Sequence, residues 1–73
     1  MPRLGVFSGD ELCRLLETSG FRRVRQRGSH VVMQKADGRT TTTVPVPLHR
    51  EICAGTLRSI IRQSGLSKAL FER

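Results

Sequence analysis

The chain has 73 residues, room for one small domain and not for two cores. Thirteen Lys and Arg against six Asp and Glu give a net charge of +7, which points to a polyanionic or acidic partner. No apolar run reaches the length of a signal-peptide core or a membrane span, so a helical membrane protein is excluded and a cytoplasmic protein is expected.

Ser8-Gly9-Asp10-Glu11 has the form of a capping box, with the serine accepting from the third amide and Glu11 reaching back. Leu12, Leu15 and Leu16 follow at helical spacing and Gly20 supplies the stop, which predicts a helix over residues 9 to 19. Phe21 to Arg27 reads as a strand whose alternation puts Arg23, Arg25 and Arg27 on one side. Gly28-Ser29 turns the chain into a second strand, His30 to Lys35. There Val31 and Met33 form the apolar side, and His30, Val32 and Gln34 the other. Asp37-Gly38 marks a hairpin, and the β-branched run Thr40 to Val44 a third strand.

Pro45 and Pro47, which donate no amide hydrogen, are expected to end that ladder. Leu48-His49-Arg50-Glu51 reads as a loop, and Thr56 as the N-cap of a second helix. That helix is striped by Leu57, Ile60 and Ile61 and stopped by Gly65. Ser67 is placed to cap a last turn under Leu70 and Phe71. The fold class is therefore α+β of α-β-β-β-α order. Two helices cover one face of a three-stranded antiparallel sheet and leave the other open, with His30 on the open side.

Eleven of the thirteen cations are arginine. Its planar fork suits bidentate contact with phosphate or carboxylate better than a solubilising lysine surface would. A merely solvated basic face is the competing explanation of the charge alone. Cys13 and Cys53 read as reduced, small buried side chains. The order Cys13, His30, His49, Cys53 does not match zinc-finger spacing, and neither a metal nor a small-molecule cofactor is expected.

The tripeptide Gly28-Ser29-His30 gives this charge a chemical purpose. Imidazole, with an ordinary pKa of about 6.5, moves protons in both directions near neutrality. Placed after a run of arginines, it suggests acid–base work on a phosphate that the arginines hold. Arg23, Arg25 and Arg27 are candidate phosphate clamps, and Gly28 and Ser29 candidate backbone contacts, glycine permitting close approach. Ser29 reads as a turn residue and not as a nucleophile.

The chain resembles the HicA-type toxins, the small ribonuclease halves of HicA–HicB toxin–antitoxin pairs. The resemblance is carried by Gly20-Phe21, by Arg25-Gln26 with Gly28-Ser29-His30, by Asp37-Gly38-Arg39, by Val44-Pro45-x-Pro-x-His49, and by Gly55-Thr56-Leu57-Arg58-Ser59-Ile60-Ile61-Arg62-Gln63-Ser64-Gly65-Leu66. It implies one HicA-like domain over residues 1–73, with a fold like that of double-stranded-RNA-binding domains. It further implies cleavage of mRNA, His30 as the catalytic residue, and control by a HicB-type antitoxin that occludes the histidine. His30 does not readily act as base and acid in one step, so water, His49 or no second group completes the cycle. The Val46-Pro47 stretch departs from the family's usual approach to the second histidine, which weakens any role carried onto His49.

Two other readings share the same residues. A non-catalytic RNA-binding module of the same fold would use the arginines alone, and a pure interaction domain would bind an acidic protein. The absence of Trp and Tyr argues against a stacking platform for single strands. The six acidic residues, Asp10, Glu11, Glu17, Asp37, Glu51 and Glu72, are too dispersed to predict a shared Mg²⁺, so a ribonuclease built here is expected to work without metal.

Overall fold

The Ser8 side chain accepts from the Glu11 amide at 3.0 Å, while the Glu11 carboxylate accepts from the Ser8 amide at 2.9 Å. This reciprocal cap starts helix α1, Gly9–Thr18. The backbone bond to Ser8 holds the Glu11 carboxyl below its usual range. At the other end Gly20 adopts a φ of +97°. The Phe21 amide donates to Leu16 O and the Gly20 amide to Glu17 O, both at 3.1 Å. That is the Schellman pattern, and it brings Phe21 onto Leu16 as the chain leaves the helix.

The computed structural model describes residues 3–73. After α1 come three strands, β1 (Arg22–Arg27), β2 (His30–Asp37) and β3 (Thr40–Pro47), then α2 (Ala54–Ser64) and a 3₁₀ turn over Lys68–Phe71. The strands form an antiparallel sheet in the order β1-β2-β3. Both hairpins have two-residue loops, Gly28-Ser29 and Gly38-Arg39, with a positive φ at the glycine alone. Positive φ at the first central position and not the second is the II′ form, whose twist matches the flanking strands. The second turn thus sits one residue later than the Asp37-Gly38 signal suggests, and Asp37 closes it opposite Thr40.

One core joins both helices to one sheet face. Leu12, Cys13 and Leu16 of α1 and Leu57 and Ile60 of α2 are buried with Val31, Met33, Val44 and Val46. All three phenylalanines are buried too, and Phe7 meets Phe71 edge to face with centroids 6.3 Å apart. Ser67 caps the 3₁₀ turn by accepting from the Ala69 amide, which seats Phe71 inside and leaves Leu70 exposed.

Three local expectations need correction. β3 continues through Pro45 and Pro47. The Leu48 amide donates to Ser29 O at 2.6 Å, so the even-numbered residues of β3 face β2 with their amides. The two prolines fall at odd positions, where a missing donor costs no ladder bond. Next, α2 starts at Ala54 with Cys53 at the N-cap, three residues ahead of the N-cap expected at Thr56. Finally Cys13 is buried as expected, but Cys53 is exposed because it stands at that helix start.

Gly9 is buried where α1 meets the end of β3, and a Cβ there would overlap Pro47 O and crowd the Leu48 backbone. Gly55, in the first turn of α2, has open space around it. Gly9→Ala is therefore expected to lower stability by about 1–3 kcal/mol, the range for overpacking. Gly55→Ala is expected to raise it by up to about 1 kcal/mol. Urea unfolding midpoints of the two variants check the contrast.

Candidate nucleic-acid interface

Sheet register decides which side chains share the open face. Arg27 is opposite His30, and His30 is opposite Pro47. Arg25 is opposite Val32 and Val32 opposite Pro45, while Arg22 is opposite Gln34 and Gln34 opposite Thr43. Because Arg27 and His30 close the Gly28-Ser29 turn, their Cβ atoms are cross-strand neighbours, about 4.5–5.5 Å apart. Both side chains are exposed. The turn is braced by the Gln26 side-chain amide donating to Gly28 O at 3.0 Å.

Simple alternation does not hold along β1. The register shifts between Arg23 and Arg25, leaving Val24 as an extra residue in a β-bulge. Arg25 and Arg27 stay on the open face, but Arg23 turns to the helix side opposite Met33, and Arg22 takes its place. Arg23 there donates to Asp10 at 3.0 Å and lies 3.6 Å from Glu17. The Asp10 hydrogen bond raises the pKa of Arg23 above the ordinary arginine value. Asp10 also pairs with Arg14 at 2.9 Å. Among the described residues only Arg14 and Arg23 form ion pairs, so Arg22, Arg25 and Arg27 face solvent without carboxylate partners.

Beside His30 the sheet ends in a hollow of about 310 Å³. His30, Pro45 and Pro47 form its sheet side and His49 its loop side. Across from them α2 contributes the uncharged polar groups of Thr56, Ser59 and Gln63. Ser59 and Gln63, together with Arg22, are the ones that sequence reasoning missed, while Thr56 was read as a helix cap. The available signal was the 56, 59, 63 spacing, one helix face free of the arginines found elsewhere on α2.

Among the described residues no three of His, Cys, Asp and Glu are grouped to hold a metal ion, and no helix is long and apolar enough to cross a membrane. A family model described as the HicA toxin of bacterial toxin–antitoxin systems matches residues 9–66. The chain belongs to the HicA toxin family. The match runs from the first residue of α1 to just past α2, so it takes in the Arg27–His30 pair, the hollow and both helices. No curated protein matches the chain. As a HicA-family member it is the toxin of a toxin–antitoxin pairing.

The two cysteines differ in reactivity. The Thr56 hydroxyl, 3.1 Å from Cys53 Sγ, together with nearby backbone amides holds that exposed thiol below its ordinary value. Burial pushes the Cys13 thiol up. Since the thiolate is the reactive form, iodoacetamide at neutral pH is expected to label Cys53 in the native protein, and Cys13 only after unfolding. Mass spectrometry of the labelled protein, with and without denaturant, checks this.

Proposed function

We propose that this toxin is a metal-independent endoribonuclease that cleaves mRNA with His30, and that a HicB-type antitoxin silences it by covering that face. The observation that carries the reading is the Arg27–His30 cross-strand pair on an exposed sheet face that bears arginines and no carboxylate. His30 takes the proton from a ribose 2′-hydroxyl as the 2′-oxygen attacks phosphorus. The bond from phosphorus to the 5′-oxygen breaks, leaving a 2′,3′-cyclic phosphate and a 5′-hydroxyl. Arg27 and Arg25 hold the phosphoryl oxygens, and cations preset at a developing charge are often the largest catalytic contribution. The Gly28-Ser29 turn lies beside them, and the missing Cβ of Gly28, with nothing within 4 Å of that position, leaves the backbone open to a phosphate. Arg23, bound to α1, supports the sheet in place of touching RNA.

His30→Ala is expected to fold, to keep RNA affinity, and to lose cleavage by roughly 10²–10⁴-fold, the usual contribution of a positioned base. The wild type is expected to cut equally in excess EDTA and to fail on RNA with a 2′-deoxy sugar at the cut. Cleavage assays with mapped product ends, alongside growth arrest on expression, check these outcomes. A folded His30→Ala variant that still cuts, or activity restored only by Mg²⁺, overturns the mechanism. Wild type that binds RNA but never cuts favours a binding module.

Salt dependence tests the arginines. Three or four phosphate contacts on a single strand give a log–log slope of affinity against salt of roughly −2 to −3. Replacing Arg25 and Arg27 together by alanine is expected to flatten it by about one to two units. Arg23→Ala is expected to leave the slope unchanged and to lower the unfolding temperature.

A further inference from the structure

We propose that His49 is the second proton-transfer group of this site, the acid that protonates the departing 5′-oxygen while His30 takes the 2′-hydroxyl proton. The inference rests on the ribonuclease reading above and adds to it. Transesterification at phosphorus needs one proton removed and one delivered, and a single imidazole does not readily do both in one step. Arginine keeps its protons, and no carboxylate lines the hollow. Thr56, Ser59 and Gln63 offer hydrogen bonds without titrating near neutrality. His49 is the remaining group in the hollow able to exchange a proton there.

The backbone sets the two rings in relation to each other. The Leu48 amide bonded to Ser29 O at 2.6 Å extends the β2–β3 pairing one step past His30 and Pro47. Carried on to that step, the register makes His49 the diagonal neighbour of His30, next in the odd-numbered row after exposed Pro45 and buried Pro47. Diagonal neighbours in a sheet stand about 7–8 Å apart. Two proton-transfer contacts of about 3 Å, one on each side of a phosphoryl group, fit such a gap. Pro47, opposite His30 and two residues before His49, lines the same hollow and has no polar side chain to compete for the phosphate.

His49 is also held firmly without using its ring. Its carbonyl accepts from the Gly9 amide at 2.9 Å, a bond that any residue can make. The side chain is exposed, and among the described residues its ring has no hydrogen-bond partner. The fold therefore needs this position but not the imidazole, which is what a group kept for chemistry would show.

The test separates acid from base by leaving group. An oligoribonucleotide spanning a bond that the wild type cuts is prepared with the natural 5′-oxygen and, separately, with sulfur in its place, since a thiolate leaves without protonation. Single-turnover rates are measured for wild type, His30→Ala, His49→Ala and His49→Asn, with unfolding midpoints for each. The two His49 variants are expected to fold, to cut the oxygen substrate about 10²-fold or more slowly, and to cut the sulfur substrate within a few-fold of wild type. His30→Ala is expected to be slow on both. His49 variants that cut the oxygen substrate at the wild-type rate, or that are equally slow on both, overturn the inference and leave the role of His30 standing. An active His30→Ala, or a wild type that cuts no RNA, overturns the ribonuclease reading and this inference with it.

Discussion

The site depends on a small knot of backbone hydrogen bonds that ties the loop after β3 to three other parts of the chain. Gly9 of α1 donates to His49, Leu48 donates to Ser29 in the first hairpin turn, and Ile52 donates to Phe7 ahead of α1. Each bond joins segments far apart in sequence, and each has one end in the loop from Leu48 to Ile52. The knot closes only because Gly9 lacks a Cβ and lets α1 lie against the Pro47 carbonyl. With the loop fixed, α2 starts where its Thr56–Ser59–Gln63 face looks across at His30, and the hollow follows.

Charge is sorted by the bulge at Val24. One extra residue sends Arg23 inward to Asp10 and Glu17, where it joins sheet to helix, and leaves Arg22, Arg25 and Arg27 outside. The exposed ion pairs of Arg23 add little energy individually. Their larger effect is to occupy two of the chain's six carboxylates on the helix side. Glu11 is bound in its capping box and Asp37 closes the distal hairpin. With these four acidic groups placed elsewhere, the arginines of the open face keep their charge uncompensated.

Much of this fold was legible in the sequence wherever a local rule acts alone. The Ser8–Glu11 cap, the stops at Gly20 and Gly65, the turn glycines and the His30 side of β2 follow from neighbouring residues. What stayed hidden depends on partners distant in sequence. Alternation along Arg22–Arg27 contains no sign of the bulge, which appears only when β1 is paired with β2. Pro45 and Pro47 look like terminators until the phase of the ladder puts their nitrogens on the outer side. Cys53 became a helix start because the loop delivers it there, and not because cysteine favours the position. The hollow was the least legible part, since its walls come from β2, β3, the loop and α2 together.

The outward nitrogens of Pro45 and Pro47 have a consequence for how anything can approach this molecule. β3 is an outer strand, and another chain aligning along it would need amide hydrogens from it to complete the pairing. At positions 45 and 47 there are none, and these two positions flank Val46 on the stretch of β3 beside His30. Strand addition is thus blocked over the stretch of β3 that pairs with the start of β2 at His30. A visitor to His30 has to come down onto the sheet face or in over the hollow, where side chains rather than main chain decide what is admitted.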